Sequence, residues 1–412
     1  GVAAAIAGMT LNWASSPGNL IPPGFSLTRT GGGATYYDST GTLQTAAADT
    51  ARGTYIYNGS AWVFDGTIVE TEATNTCLQS EDLTTTWTVG AGVSVTANAY
   101  TAPTGAATMD RINASAGNTQ HYLQILAGVV ISAGAATFSF YFKYDNLQYV
   151  GLGMNDGTTS VISMFDVLNG TAGTPAYFAG SGTASTRITS IGGGVFRAEL
   201  TSTMTGSAAS TLYVIMGNSI TAGIPTWNAA GTERVGAWGG QVETGSAATS
   251  YIATGAASAT RNADVVTAPT SGLLINAQGF AAMKYRTILG SGNSANLSGA
   301  SAGGQGQPLY STTSLAGIYD GANTATVSLA TVQTPGAISS IASTWGPSTL
   351  VVAANGTVGT NFPAWTGSMN FASTLRIGDN PTIGGQAFSM VLQSMRLGVQ
   401  TVNNSRLANP FA

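Results

Sequence analysis

The stretch TFSFYFKY, residues 137–144, decides the fold class of this chain. Phe138, Phe140 and Phe142 occupy every second position, and the residues between them are polar or amphipathic. A period of two places the three phenyl rings on one face of a β-strand, because successive strand side chains point to opposite faces. The stretch therefore predicts a strand with one face in an apolar core.

Short strand candidates continue on both sides of this stretch, separated by turn residues. They are HYLQILAGVVI (121–131), YVGLGMND (149–156), SVISMFDVLNG (160–170), RITSIGGGVFRAELTSTM (187–204), STLYVIMGN (210–218) and VGAWGGQVE (235–243). Many short strands at this spacing indicate a sandwich or jelly roll. In the last segment, strict alternation predicts Trp238 and Val242 on one face, with Val235 and Ala237 on the other.

Composition supports a packed all-β chain with few charges. Hydrophobic residues make up 43 % of the 412 residues, whereas charged residues make up 7 %, against about 25 % in ordinary soluble domains. The hydrophobic content argues against disorder. A net charge of −4 without a basic stripe excludes an ordinary nucleic-acid binder. So few charges favour a subunit that buries much of its surface against copies or partners.

The sequence also argues against membrane insertion and cysteine chemistry. No apolar run reaches the roughly 18 residues of a membrane span, and the N-terminal GVAAAIAGM lacks the positive region of a signal peptide. Cys77 is the one cysteine, so neither an intrachain disulfide nor a cysteine zinc site is expected.

Three regions are predicted: an N-terminal region at 1–76, one β-domain at 77–266 and a second at 267–412. The N-terminal region contains turn-rich hairpin candidates, including TYIYNGSAWVF (54–64), but no core of its own. We expect it to attach the chain to a partner, because an extended, Pro- and Gly-rich start suits β-augmentation, while the remainder folds without it. In the second β-domain, Asn355-Gly356 predicts a hairpin turn, and a short helix is expected within 402–410, capped by Asn403 or Asn404. The predicted fold is thus all-β, with two tandem jelly-roll or β-sandwich domains preceded by a hairpin-rich attachment region.

Five segments together resemble a domain that recurs in structural proteins of tailed bacteriophages. They are CLQSEDLTTTWTV (77–89), APTGAATMDRINAS (102–115), TFSFYFKY (137–144), GGGVFRAELTST (192–203) and AWGGQVETGSAATSYIATGAASATRNADVV (237–266). Phe196 stands where tryptophan is usual in that domain, and Ala253 where proline is usual.

The resemblance implies a carbohydrate-binding-module-like jelly roll at 77–266. The C-terminal region, less specifically, looks like a concanavalin- or laminin-G-like sandwich. Together they imply a fibre, spike or decoration subunit on the surface of a virion assembled in the host cytoplasm. The implied partners are other virion proteins, further copies of the chain in a trimer, and host-surface glycans. In this arrangement Tyr251 and Ile252 would pin the exit strand of the jelly roll, and Arg261 and Asp264 would form a charged clasp before the second domain.

Catalytic combinations are sparse, so no enzymatic activity is expected. A Ser-His-acid triad would need His121, the one histidine. Among the 17 acidic residues, the carboxylates that could pair for glycan hydrolysis are Glu70 with Glu72, Glu81 with Asp82, and Glu199, Glu233 and Glu243 if they meet in space. The other reading of these carboxylates is solvated turn residues or partners of arginines. A polysaccharide depolymerase remains as a further alternative.

Glycan binding is the alternative to a purely structural role. Sugar sites need aromatic platforms, and the candidates are Trp87, Tyr122, Trp227 and Trp365. The other reading of these rings is core or intersubunit packing. No cofactor is expected, although Asn155 and Asp156 in MNDGTT (154–159) could supply oxygen ligands to a structural Ca²⁺; the other reading is a plain turn.

Overall fold

The computed structural model describes residues 8–290, 294–299, 305–312, 314–328, 333–359, 365, 367–378 and 388–411. In the N-terminal region the strands are β1 (Met9–Ala14), β2 (Ser26–Thr28), β3 (Ala34–Tyr37), β4 (Leu43–Ala46), β5 (Arg52–Tyr57), β6 (Trp62–Val69) and β7 (Ala73–Asn75).

Residues 77–266 contain β8 (Thr88–Ala91), β9 (Val93–Tyr100), β10 (Met109–Ala114), β11 (Gly117–Gln120), β12 (Tyr122–Ile131), β13 (Gly134–Tyr144), β14 (Tyr149–Asn155), β15 (Ser160–Asp166), β16 (Thr171–Ala172), β17 (Ala176–Ala179), β18 (Ala184–Ser190), β19 (Val195–Met204), β20 (Ser207–Gly217), β21 (Thr226–Ala229), β22 (Arg234–Thr244), β23 (Ala259–Arg261) and the start of β24 (Val265–Pro269).

The C-terminal strands are β25 (Gly279–Gly290), β26 (Ser294–Ser298), β27 (Gln307–Ser311), β28 (Leu315–Tyr319), β29 (Thr324–Ser328), β30 (Ile338–Gly346), β31 (Thr349–Ala354), β32 (Thr357–Val358), β33 (Thr374–Ile377) and β34 (Phe388–Gly398). One helix, α1 (Asn404–Ala408), follows within the described residues. The chain is all-β, as predicted. No helix among the described residues has the length and apolar character needed to span a bilayer.

Two sheets form the first sandwich. One has six strands in the order β18-β19-β13-β22-β10-β9, and the other has seven, in the order β16-β15-β14-β20-β12-β8 with β17 beside β15. Phe138, Phe140 and Phe142 of β13 are fully buried in the core between them, which confirms the alternation in the sequence. The opposite face of β13 is also covered, because Tyr141 is 0 % exposed.

A β-bulge in β22 changes the predicted faces of that strand. The pairing of β13 with β22 shifts register between Ser139 and Tyr141, and Gly239 has a φ of +71°. The extra residue puts Val242 in the core with Val235 and Ala237, whereas Trp238 packs on the outer face with Tyr141. Strict alternation had assigned Trp238 and Val242 to one face, and a bulge is what breaks such a pattern.

The second sandwich includes strands from both ends of the chain. Its eight-stranded sheet has the order β32-β31-β30-β25-β34-β6-β5, with β1 also paired to β34, and its seven-stranded sheet has the order β2-β24-β33-β26-β27-β28-β29. Leu11, Trp13 and Val69 lie in its core, each at most 6 % exposed. Four N-terminal strands, β1, β2, β5 and β6, are therefore part of this sandwich, whereas β3 pairs with β4 and β7 pairs with β23.

This pairing differs from the expectation that the remainder folds without residues 1–76. The hairpin at 54–64 forms, as β5 and β6, but β6 and β1 hydrogen-bond to β34. Hairpins without their own core are stable only where they pack on something larger, and here that neighbour is the same chain. The limits at 76/77 and 266/267 stay a prediction as boundaries of independently folding units.

Where the N-terminal region meets the segment after the first sandwich, five charged side chains form a buried ion cluster: Arg29, Arg52, Glu70, Arg261 and Asp264. Asp264 is 2.6 Å from Arg29 Nη1 and 2.5 Å from Arg52 Nη2, and Glu70 is 2.8 Å from Arg52 and 3.5 Å from Arg261 Nε. All five side chains are 0 % exposed. The predicted clasp residues are both present, but their partners come from the N-terminal region and not from each other.

Two local C-terminal predictions are confirmed. Asn355 and Gly356 both have positive φ, 48° and 86°, and connect β31 to β32 as a two-residue hairpin turn requires. Asn403 caps α1, accepting a hydrogen bond from Arg406 N at 2.9 Å.

Candidate functional site

A cleft of about 440 Å³ lies where the N-terminal hairpins, the first sandwich and the second sandwich meet. This volume is within the usual range of about 300–1,000 Å³ for small-molecule sites. Its lining, the set we call the cleft residues, includes Tyr37, Tyr55, Tyr57, Trp62, Asp65, Glu70, Arg187, Thr189, Arg197, Thr249, Ser250, Tyr251 and Arg286.

Aromatic rings from the N-terminal hairpins form one wall of the cleft. Tyr57 and Trp62 face each other across β5 and β6, with ring centroids 5.9 Å apart, and the Tyr37 ring lies 5.0 Å from that of Trp62. All three are half-buried. Trp62 approaches the turn between β3 and β4 so closely that a Cβ on Gly41, which has a φ of +84°, would lie 2.1 Å from the indole Nε1. Glycine at 41 thus permits this wall.

Arginines lie on the sides of the cleft contributed by the two sandwiches. Arg187 on β18 pairs with Glu199 at 2.7 Å. Arg286 on β25 makes a two-pronged pair with Asp65, at 2.9 and 3.1 Å. Such planar forks orient a guanidinium group firmly.

Deeper in the cleft, Arg197 is held over the Tyr141 ring, 5.3 Å from its centroid. Its Nη1 donates to the Thr249 carbonyl at 2.8 Å and its Nη2 to Ser139 Oγ at 3.0 Å. Burial opposes the charge of Arg197, but Tyr141 and Glu199 outweigh it and raise the pKa of the guanidinium. The group therefore stays a cation.

Glu70 connects the cleft to the ion cluster. Burial opposes its ionisation, but the guanidinium groups of Arg261 and Arg52 and the donors of Ser250 lower the pKa of Glu70 to about 2. Ser250 N and Oγ donate to this carboxylate at 2.8 and 2.7 Å. Glu70 is therefore a fixed anion at neutral pH.

Three of the four predicted glycan platforms are buried. Trp87 is 4 % exposed and meets Phe140 edge-on in the first core, and Trp365 is 1 % exposed with its Nε1 2.5 Å from Asp320 Oδ2. Trp227 is 8 % exposed and lies against His121. As folded, these rings have packing roles and present little surface to a sugar.

Tyr122 is half-buried on the outer face of the seven-stranded sheet of the first sandwich. Its ring lies 5.9 Å from that of Tyr213. The structure does not bring Tyr122 together with the predicted tryptophans, since those lie in the two cores. A glycan role for Tyr122 stays a prediction.

The proposed Ca²⁺ ligands form a hydrogen-bonded turn. Asp156 accepts from Thr158 N and Thr159 N through Oδ1, and from Thr205 N, Thr205 Oγ1 and Gly206 N through Oδ2. Burial opposes its ionisation, but these donors lower the pKa of Asp156 to about 2. Asn155 Oδ1 accepts from Gly157 N at 2.8 Å. The side-chain oxygens of Asn155 and Asp156 already accept hydrogen bonds from these donors. They therefore fit a hydrogen-bonded turn better than a cation site. No group of three or more potential His, Cys, Asp or Glu ligands occurs within the described ranges.

The sequence reasoning missed the cleft residues because they come from distant segments. The sequence predicts Tyr57 and Trp62 only as hairpin residues. Arg187 and Arg286 lie within strand patterns that give no indication of a site. An available signal was the excess of aromatic side chains in hairpins that lack a core.

No family model matches the sequence, and no curated protein matches it. Similar solved structures include the CBM40 of Ruminococcus gnavus IT-sialidase bound to α2,3 sialyllactose, at 14 % identity over 33 % of this chain and 84 % of that chain, with a TM-score of 0.28. Another is a SAP-like pentraxin from Limulus polyphemus, at 13 % identity over 33 % of this chain and 70 % of that chain, with a TM-score of 0.27. A third is Trypanosoma rangeli sialidase in complex with the inhibitor DANA, at 11 % identity over 90 % of this chain and 67 % of that chain, with a TM-score of 0.28.

One prediction is corrected by this comparison. The expectation that the chain has no enzymatic activity is contradicted, because a sialidase is among the similar structures, and we do not keep it. At these TM-scores the likeness assigns no reaction and no ligand to this chain. None of the three structures is of a phage protein, so the virion expectation stays a prediction.

Proposed function

We propose that this chain is a glycan-binding protein and that the cleft holds the glycan. The observation that carries the proposal is the pairing of an aromatic wall, Tyr57 and Trp62, with a polar wall, Arg187 and Arg286, across about 440 Å³. Sugar rings have apolar C–H faces and polar hydroxyl edges, so a site needs a flat ring beside fixed hydrogen-bonding groups. Pockets that are mostly apolar with a few well-placed polar groups are the usual form of ligand sites.

The rigidity of the polar wall supports the same proposal. Arg286 is fixed by both oxygens of Asp65 and by the carbonyl of Gly336, to which its Nη1 donates at 2.7 Å. Groups already held in place lose little conformational entropy when a ligand binds. Because Asp65 lies on β6 and Arg286 on β25, the pair also links two strands of the eight-stranded sheet across β34.

Glycan-array binding of the purified chain, Tyr57→Ala and Tyr122→Ala tests the proposal. Both tyrosines are half-buried, but Tyr57 lines the cleft and Tyr122 lies on the sheet face. We expect binding to be lost with Tyr57→Ala and kept with Tyr122→Ala. The absence of any bound glycan, or the reverse pattern of loss, would contradict the assignment. Following glycan chain length in the same incubation reports hydrolysis, which in most glycosidases uses two carboxyl groups roughly 5–10 Å apart.

We further propose that the chain is a homotrimeric surface subunit of a tailed-phage virion. The proposal is supported by the five resembling segments within 77–266 and by the 7 % content of charged residues. Attachment to other virion proteins through residues 1–76 stays a prediction. Light scattering should give about three times the 41.4 kDa of one chain; a mass of one chain at high concentration would count against the trimer.

A further inference from the structure

We infer that the glycan is acidic, and that a sugar carboxylate binds between Arg187 and Arg286 at the mouth of the cleft. This inference rests on the proposed function, since it names the class of ligand for the same site. It comes from the way two guanidinium groups, one from each sandwich, converge on a single glycine.

Arg187 reaches from the first sandwich towards the second. Its Nη2 is bonded to the two oxygens of Glu199, at 2.7 and 2.9 Å, and its side chain is 37 % exposed. Its Nη1 lies 3.6 Å from the place that a Cβ on Gly336 would occupy. Within the part of the chain that the structure describes, Nη1 and Nε of Arg187 have no hydrogen bond to the protein, so these donors remain for a ligand.

Arg286 meets the same glycine from the other side. Its Nη1 donates to the Gly336 carbonyl at 2.7 Å, and its Nε and Nη2 hold Asp65. A guanidinium has five N–H donors, and the bonds described here use three of them. The lack of a side chain at Gly336 leaves the space between the two arginines open.

The cleft and the adjoining ion cluster contain nearly equal numbers of arginines and carboxyl groups. Six arginines, at 29, 52, 187, 197, 261 and 286, surround the cleft or lie in the adjoining ion cluster. Five carboxyl groups accompany them, at 65, 70, 199, 243 and 264. The count is nearly balanced, so the attraction for a carboxylate comes from the arginine N–H groups that the described protein leaves unused.

Glu199 and Asp65 occupy part of each guanidinium, so Arg187 keeps its Nη1 and Nε donors, and Arg286 keeps one N–H on each of Nη1 and Nη2. A carboxylate accepts charge-assisted hydrogen bonds from such donors. A neutral sugar would meet the same donors with hydroxyl oxygens only, so its hydrogen bonds would be weaker than charge-assisted ones. The neighbouring aromatic wall contacts the sugar ring, and the two arginines bind its carboxylate. An acidic glycan uses both walls at once.

The test is an array of oligosaccharides that carry uronic or sialic acid, each printed beside its carboxyl-reduced form, with sulfated neutral oligosaccharides as a third set. At least one acidic member should bind at least about tenfold more tightly than its reduced partner, as expected for a lost charge-assisted hydrogen bond. Equal binding of acidic and reduced forms would overturn the inference and leave the proposed function standing. Binding to no member would remove both. Preference for the sulfated set alone would also overturn the carboxylate assignment.

Two variants test whether the preference for acidic glycans arises in the cleft. Arg187→Gln should remove the discrimination between acidic and reduced forms, while Arg234→Gln should keep it. Arg234 is a matched control, because it forms an exposed pair with Asp145 outside the cleft, at 3.5 Å and 42 % exposure. Unchanged discrimination in folded Arg187→Gln would refute the placement.

Arg187→Gln also removes the ion pair with the buried Glu199, which affects folding. A second variant leaves this pair in place. Thr189 is exposed and lies two positions from Arg187 on β18, so both side chains point to the same face. Thr189→Asp places a negative charge beside Arg187. It should weaken the binding of acidic glycans more than that of their carboxyl-reduced forms; equal weakening of both forms would refute the carboxylate site.

Discussion

Replacing Asp264 by asparagine should destabilise the protein strongly, because this carboxylate connects three segments of the chain. It accepts from Arg29 Nη1 at 2.6 Å, from Arg52 Nη2 at 2.5 Å and from Glu70 N at 2.9 Å. Neither the aspartate nor the two arginine side chains is exposed to solvent. The asparagine would place a neutral amide among arginines. Its NH₂ group is a donor and would face the N–H donors of the arginines.

The magnitude follows from the burial of the cluster. Removing one partner of a buried ion pair typically costs about 3–5 kcal/mol, because the remaining charge stays desolvated without compensation. After the substitution the cluster would contain three arginines and one carboxylate, that of Glu70, and Arg29 would have lost its ion pair. We therefore expect the free energy of unfolding to fall by about 3–5 kcal/mol.

Guanidinium unfolding, followed by tryptophan fluorescence and circular dichroism, measures the effect, and coincidence of the two signals tests whether the transition is two-state. Asp145→Asn is the matched control. Asp145 pairs with Arg234 at 3.5 Å with both side chains about a third exposed or more, and such pairs contribute about 0–1 kcal/mol. If Asp264→Asn shifted the midpoint no more than Asp145→Asn, the ion cluster would not stabilise the junction as described.

Three further outcomes are expected. The pKa of Glu70 is lowered to about 2, so the ionised carboxylate stabilises the folded state fully above the unfolded-state pKa near 4.5. This stabilisation, about 3 kcal/mol, is lost as the pH falls from 4.5 towards 2. The loss should appear as a lower midpoint of unfolding and should be absent in Glu70→Gln. A chain that starts at Thr76 lacks β1, β5 and β6, so circular dichroism and calorimetry should show an unfolded second sandwich; a native melting transition would contradict the shared sheet. Gly239→Ala forces an L-residue to a φ of +71° with its Cβ 2.7 Å from Tyr141 Cδ2, and should cost about 1–3 kcal/mol, whereas Gly255→Ala, with open space around it, should leave thermal stability nearly unchanged.

Local patterns predicted those features of the fold that depend on neighbouring residues. The alternation of Phe138, Phe140 and Phe142 is a property of one strand, and it gave the correct core face. The turn at Asn355-Gly356 and the cap at Asn403 likewise depend on a few consecutive residues. The bulge at Gly239 did not follow from alternation, because one inserted residue reverses the faces of everything after it.

Long-range pairing could not be predicted in the same way. Trp13 of β1 pairs with Met395 of β34, and no composition or period links residues so far apart in the chain. Residues 1–76 were expected to form a separate region because they lack a core of their own. The missing information was that β1, β2, β5 and β6 join the second sandwich, while Leu43 packs against Tyr141 and Trp238 of the first. The same reason hides the cleft, because Trp62, Arg187 and Arg286 meet only after the two sandwiches have assembled.

The sequence left two roles open for the tryptophans, sugar platform or core packing, and their burial distinguishes between them. Trp87 and Trp365 have the right chemistry for a sugar platform, but the surrounding strands enclose them. Tryptophan carries a large apolar surface, so packing is its default role in a core. Half-exposed rings such as Trp62 become recognisable as site candidates only when exposure is known.

A crystal structure of the chain with the tightest-binding oligosaccharide from the array tests the central claim most directly. We predict density for a sugar ring against Trp62 and Tyr57, with its polar edge towards Arg187 and Arg286. An oligosaccharide bound instead on the outer sheet face at Tyr122 and Tyr213, with the cleft empty, would contradict the account.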